Sequence, residues 1–292
     1  MLTKSTMLHL RIPFSYFLLP TYLFALSCSV SPVLWKTLLV FIILHFLLYP
    51  ASNSYNSYYD RDTHSIGTLK HPPPVEKELL FVSLALDAAA VLLGLLISWL
   101  FATAVLFYGL ASKAYSHNKI RIKKWPVVSL IGVGLTQGAF TFLMSYYGTQ
   151  DIRIEDMLNM RIIFGAIVSS VFIIAAYPMT QIYQHKADAE NGDVSFSMLL
   201  GIRGTFVFCA VCLAIAITGF SLFFWHYYGL KYTVFFSLFL LPMGAFFFYW
   251  MVITFKDENN ANYDNTMRLN LFSSTALNAF MLLLLTTQKL KP

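Results

Sequence analysis

This chain has little charge for its length. Asp, Glu, Lys and Arg make up 12% of its 292 residues, against 58% hydrophobic. Apolar runs of roughly 20 residues recur along it, the length that spans a bilayer, so the composition excludes an ordinary soluble fold and reads as a polytopic membrane protein. Cysteine is scarcer still, with three residues. Cys28, Cys209 and Cys212 all lie in apolar stretches without metal-ligand spacing to histidine, which excludes a disulfide framework. No low-complexity segment occurs. No small-residue cleavage site follows Lys4 and Arg11, so the N-terminal apolar run reads as a first span rather than a signal peptide. The net charge of +6 does not mark a nucleic-acid binder, because it follows from loops that face the cytoplasm and anionic headgroups.

Length alone permits two soluble domains. Spans and short loops consume nearly all of it, so one domain over residues 1–292 is expected. The fold class is all-α, a nine-transmembrane-helix bundle with cytoplasmic cap loops. The nine spans are expected near 13–31, 34–53, 78–97, 99–116, 126–147, 160–182, 203–225, 232–255 and 268–287. Spans three and four are nearly continuous. Lys and Arg concentrate at the N-terminus and in the loops after spans two, four, six and eight. The other side holds only Lys36, Arg153, Arg161, Lys231, Lys289 and Lys291. The positive-inside bias puts the N-terminus in the cytoplasm and the C-terminus outside, in the inner membrane if the source is bacterial.

Against so little charge, polar clusters at span ends stand out. The first is residues 53–66, NSYNSYYDRDTHSI, directly after an apolar run. Asn56 and Asp60 are four apart and share a face of any helix that continues through them. Asp62 and His64 follow, and the prolines 72–74 end the loop stiffly. The second cluster, Thr180–Gly201, repeats the spacing with Gln184 and Asp188. Glu190, Asn191 and Asp193 come next, with Gly192 as the expected helix terminator. Solvated helix caps are the competing reading for each cluster, and a hydrogen-bonded polar residue is the competing reading for His185. The third segment, Ser112–Pro126, carries Lys113, Lys119, Arg121, Lys123 and Lys124 beside Tyr115 and Ser116. Lys123 and Lys124 fit ordinary positive-inside signalling. Lys113 lies inside a span end, where its charge needs a partner, and phosphate oxygens suit Lys as a point charge and Arg as a fork. Arg268, opening span nine, either anchors its helix at headgroup level or faces the cavity.

Carboxylates, a basic loop and an apolar bundle describe a lipid diphosphate site. Mg²⁺ is usually bound by one or two carboxylates together with substrate phosphates. Asn56, Asp60, Asp62 and Asp188 are the metal candidates. Mg²⁺, Lys and Arg would stabilise a leaving diphosphate while an allylic cation forms. Aromatic faces can stabilise such a cation, but most Phe and Tyr here suit packing and the interfacial belt.

These residues resemble the UbiA superfamily of intramembrane prenyltransferases, whose members carry N-D-x-x-D-x-x-x-D after span two and D-x-x-x-D after span six. Asn56 and Asp60 match the first motif, while Ser57 and His64 stand where aspartates are usual. In the second, Gln184 replaces one aspartate and Asp188 keeps the other. Arg11-Ile12-Pro13-Phe14, Tyr115-Ser116 with Arg121, Lys123, Lys124 and Pro126, Gly192, Leu200-Gly201, and Arg268 with Asn270 are also similar. The resemblance runs over nearly the whole chain. It implies a Mg²⁺-dependent prenyltransferase that moves an isoprenoid from a prenyl diphosphate to a lipophilic, aromatic-type acceptor held in the bilayer. Asp60, Asp188, Lys113 and Arg121 would be catalytic; Asn56, His64, Tyr115, Ser116, Lys123, Gln184 and Arg268 would bind substrate. No nucleic-acid partner is implied, and the oligomeric state is not legible. The lost aspartates leave a second class open, a prenyl-lipid-binding or accessory membrane protein without turnover. A transporter fits less well, since its polar groups should gather near the midplane.

Overall fold

The computed structural model describes residues 2–288, so Lys289 and Lys291 lie outside the described residues. Eleven α-helical elements, α1 to α11, follow in chain order among those residues. These are α1 Lys4–His9, α2 Leu19–Cys28, α3 Leu34–Asp60, α4 Glu78–Leu95, α5 Trp99–Ser116, α6 Pro126–Gly148, α7 Met160–Gln181, α8 His185–Glu190, α9 Phe196–Tyr228, α10 Leu230–Lys256 and α11 Tyr263–Gln288. Extended structure among the described residues is confined to two isolated bridges, Pro32 with Gln150 and Ile66 with Leu69. Seven helices, α3, α4, α6, α7, α9, α10 and α11, are long and apolar enough to cross a membrane. The chain is thus an integral, multi-pass membrane protein. The runs expected at 13–31 and 99–116 are helical but fall outside those seven. The first divides into a 3-10 turn, Ile12–Phe17, and the short α2. The second, α5, carries Tyr108, Ser112, Lys113 and Tyr115, which dilute its apolarity. The close join between α4 and α5 is a true break, where Ser98 caps α5 by accepting from the Phe101 amide at 3.1 Å.

Apolar side chains cover the outside of the bundle, among them Phe81, Leu92, Leu222, Leu241 and Phe248. Lipid tails are as apolar as these residues, so helix association rests on packing and internal polar contacts rather than on water release. Part of the interior is an aromatic cluster. Phe24 packs against Phe142, Phe220 and Phe223 with ring centroids 5.0–5.1 Å apart, and Phe280 stacks edge-on to Phe224 at 4.8 Å.

Two helices widen into π turns, and each has a local cause. In α3 the π turn Ile43–Leu48 precedes Pro50, which cannot donate to the carbonyl four residues back. In α6 the π turn Gly134–Phe140 lies where α7 comes closest. A Cβ on Gly138 would sit 2.4 Å from the Ser170 Cα. The Ala139 amide donates instead to Ser170 Oγ at 2.9 Å. Beyond its π turn, α3 runs on to Asp60 and stops where Arg61 takes left-handed backbone, φ 49°. The next loop is strapped to the N-terminus. Ser5 Oγ donates to Pro74 O at 2.6 Å, and His9 Nε2 meets Pro73 O at 2.8 Å.

Candidate diphosphate and metal site

The ends of α3, α5, α7 and α8 and the loops between them enclose a cavity of about 280 Å³. Its mouth is lined by Arg11, Asn56, Asp60, Asp62, Lys123, Gln184, Asp188 and Asp193. Deeper along the helices the lining changes to hydroxyls and an amide, Ser52, Tyr108, Thr136, Gln137 and Tyr177, with Gly132 and Val133 between them. Phe14, Ile66 and Met267 form apolar walls. The two polar junctions, far apart in sequence, therefore face one space.

Each junction positions its acids by helix geometry. On α3 the four-residue spacing brings Asn56 Nδ2 to donate to Asp60 Oδ2 at 2.5 Å, and to Ser116 Oγ at 3.1 Å. Arg11 fixes the other end of that amide, donating to Asn56 Oδ1 at 3.2 Å and to Asn53 O at 2.8 Å. The helix α8 ends in a Schellman turn. Gly192 has φ 71°, its amide reaches Ala189 O at 3.1 Å, and the Asp193 amide reaches Asp188 O at 2.9 Å. The terminator thus ties the backbones of two cavity acids together.

Between the junctions lies the basic loop. Arg121 has φ 45° and forks onto Asp193, with Nε to Oδ1 and Nη2 to Oδ2 both at 2.7 Å. Its Nη1 lies 3.3 Å from Asp60 Oδ1. Lys123 Nζ bridges Asp60 Oδ2 at 2.8 Å and Asp193 Oδ2 at 3.0 Å. The carboxylates of this network are 2% and 4% exposed, so its charges depend on one another. Asp62 and Asp188 form no ion pair among the described residues; Asp62 accepts only from Asn191 Nδ2, at 3.3 Å.

Proton affinities divide the same way. Burial pushes Asp188 up to about 6, helped by Asp193 and opposed by Lys123. Burial and the charge of Asp60 raise Asp62 as well. Burial would also raise Asp193, but Arg121 and Lys123 outweigh it and hold that acid below its ordinary value. Burial depresses Lys123 less than Asp60 and Asp193 raise it. Arg11, buried within the site, is lowered to about 10.

Among the described residues, no three His, Cys, Asp or Glu side chains gather into a group that could hold a metal alone. The donor chemistry does fit one hard divalent ion shared with a phosphate ligand. Asp62 and Asp188 supply unpaired carboxylates at the cavity wall, and Mg²⁺ ordinarily takes one or two of these plus phosphate oxygens and water.

Of the residues singled out in sequence, Asn56, Asp60, Asp62, Tyr115, Ser116, Lys123, Gln184 and Asp188 line the cavity. Arg121 stands behind the wall, its guanidinium committed to Asp193 and Asp60. Three others are not brought to the cavity. Lys113 pairs with Asp87 of α4 and lies over the Tyr55 ring. His64 pairs with Glu190 at 3.2 Å on the exposed rim. Arg268 is exposed, its turn of α11 presenting Met267 and Asn270 inward instead. Asp87, the partner of Lys113, was not singled out, although an acid inside an apolar run is itself a signal. The deep polar residues Tyr108, Thr136, Gln137 and Tyr177 were missed, although an amide within a span is itself a signal. Arg11 and Asp193 were visible only as a family likeness and as one acid among several.

The helical bundle thus gathers acids from two junctions and a basic loop over one cavity. The UbiA prenyltransferase family model matches residues 17–273, and the chain belongs to that family. Solved structures agree in fold. An apo UbiA homolog from Aeropyrum pernix K1 shares 18% identity at TM-score 0.69, over 94% of this chain and 98% of that one. A UbiA homolog from Archaeoglobus fulgidus bound to GPP and Mg²⁺ shares 18% at TM-score 0.66, over 97% and 100%. A structure of digeranylgeranylglyceryl phosphate synthase in membranes shares 18% at TM-score 0.61, over 96% and 97%. No curated protein matches the sequence.

Proposed function

We propose that this protein is a Mg²⁺-dependent intramembrane prenyltransferase that moves an isoprenoid from its diphosphate to an acceptor held in the bilayer. The observation that carries this reading is the single cavity into which both junctions send unpaired acids beside Lys123 and Arg11. Family membership and the GPP and Mg²⁺ bound to the Archaeoglobus fulgidus homolog support it. Asp62 and Asp188 would hold the metal, which when bound neutralises charge on the leaving diphosphate. Lys123 has three N–H donors and spends two on Asp60 and Asp193, so the third is available to a diphosphate oxygen. Arg121 is a positioning residue that holds Asp193 and, through it, Lys123. Arg11 adds buried positive charge beside Asn53 and Asn56. The loop bearing Ser65, Ile66 and Gly67 roofs the cavity, which limits water reaching a carbocation. Gly67 allows this roof, because a Cβ there would lie 2.8 Å from Arg11 Nη1. The deeper hydroxyl lining suits an acceptor with oxygen substituents.

In this reading nine segments cross the bilayer, α2 and α5 included, and the site opens to the cytoplasm with the N-terminus on that side. Release of diphosphate from a prenyl diphosphate by purified protein, with and without Mg²⁺, tests the proposal. The pairing of Asp60 and Asp193 with internal cations favours a second reading, a prenyl-lipid-binding protein without turnover. Prenyl lipid that co-purifies with the protein, with no Mg²⁺-dependent release, would establish it instead.

A further inference from the structure

The acids of the cavity come in two kinds, and each junction supplies one of each. Asp60 and Asp193 are bridged by Lys123 and buttressed by Arg121. Asp62 and Asp188 line the same cavity with no ion pair among the described residues. Lys123 therefore stands where an oxygen-binding cation would join the two junctions. It contacts one carboxylate from each at hydrogen-bond distance, and its side chain is only 11% exposed. The two unpaired carboxylates give a divalent ion too few ligands on their own, since Mg²⁺ demands near-octahedral coordination by oxygen.

We infer that Lys123, held by Arg121, is a built-in cation that takes one metal position between the junctions. The site then accepts a single divalent ion, on the Asp62 and Asp188 side, and accepts it together with the diphosphate. This rests on the prenyl diphosphate reading above. It makes ion and diphosphate mutually dependent ligands, each strengthening the other by the same factor.

The test counts metal directly, without turnover. Mn²⁺ is titrated into purified protein and followed by its electron paramagnetic resonance signal, with and without a non-cleavable prenyl thiodiphosphate. The expected result is one Mn²⁺ per chain with the analogue, and binding at least about 10-fold weaker without it. Lys123→Ala is expected to add a second Mn²⁺ per chain, whereas Lys123→Arg, which keeps the charge, stays at one. Two Mn²⁺ per wild-type chain, or equally tight binding without the analogue, would overturn the inference. An unchanged count in folded Lys123→Ala would overturn it too. If the analogue does not bind at any Mn²⁺ concentration, the prenyl diphosphate reading falls. The analogue-free comparison of wild type with Lys123→Ala then still decides whether Lys123 holds a metal's place: a gained site supports it, and none overturns it.

Discussion

The junction at the end of α3 and the junction at α8 do the same job by different local means. At the first, an unbroken helix carries Asn56 and Asp60 to the cavity on one face, and a left-handed Arg61 stops it at once. At the second, a helix of six residues ends in a glycine turn, and the turn itself brings Asp193 back beside Asp188. In each, one acid is paired with the basic loop and one has no ion pair among the described residues. The difference teaches that the acid on the rigid helix, Asp60, and the acid beyond the turn, Asp193, serve as anchors for Lys123 and Arg121. On the proposed reading, Asp62 and Asp188 remain for a ligand.

Removing an anchor should have the largest effect. Asp60→Ala or Asp193→Ala leaves Lys123 and Arg121 buried beside one carboxylate in place of two. A loss of about 3–5 kcal/mol is expected for a broken buried pair, read as lowered thermal stability in detergent. Asp188→Asn probes the other class. It should keep the fold and lower Mg²⁺-dependent diphosphate release at least about 100-fold, a barrier increase of about 2.7 kcal/mol. If Asp188→Asn unfolded the protein while Asp60→Ala did not, the division into anchors and free acids would be reversed.

The division also has a pH signature. The proton affinity of Asp188 is raised to about 6 by burial, from an ordinary value of 3.8. Below about 4 the acid is protonated in both folded and unfolded chains and its stabilising contribution is fully present. As pH rises through about 6 the folded carboxyl is forced to ionise in a buried site, and that contribution is lost. Metal-free protein should therefore lose thermal stability between about pH 4 and pH 6, and Asp188→Asn should flatten that fall. Two small effects complete the series. His64→Ala removes an exposed pair and should change stability by less than about 0.5 kcal/mol, with release unaffected. Arg61→Gly, at a left-handed position, should leave stability unchanged or raise it by less than about 1 kcal/mol in the same melts.

Much of the bundle was legible in sequence because a span needs only length and apolarity. The ends of α4, α5 and α7 fall within a few residues of the runs expected at 78–97, 99–116 and 160–182. The four-residue spacing of Asn56 and Asp60 and the terminator role of Gly192 were equally local facts, and both hold. Partnerships were not legible, because they join distant segments. Arg121 and Lys123 reach Asp193 across about 70 positions of chain, and Lys113 turns to Asp87 on the neighbouring helix rather than to the cavity. Charge and spacing alone fitted Lys123 to topology signalling, and only the family resemblance named it a substrate binder; in the fold it lines the cavity and bridges Asp60 and Asp193. The π turn in α6 and the polar depth of the cavity depend on how closely α7 packs at Gly138, which no single-segment pattern carries.

The most direct test of the account measures diphosphate release from a prenyl diphosphate in wild type and in the Asp62→Asn, Asp188→Asn double variant, at saturating Mg²⁺. The account predicts release in the wild type that requires Mg²⁺, and a folded double variant that releases none above background. Release at the wild-type rate from the double variant would contradict it.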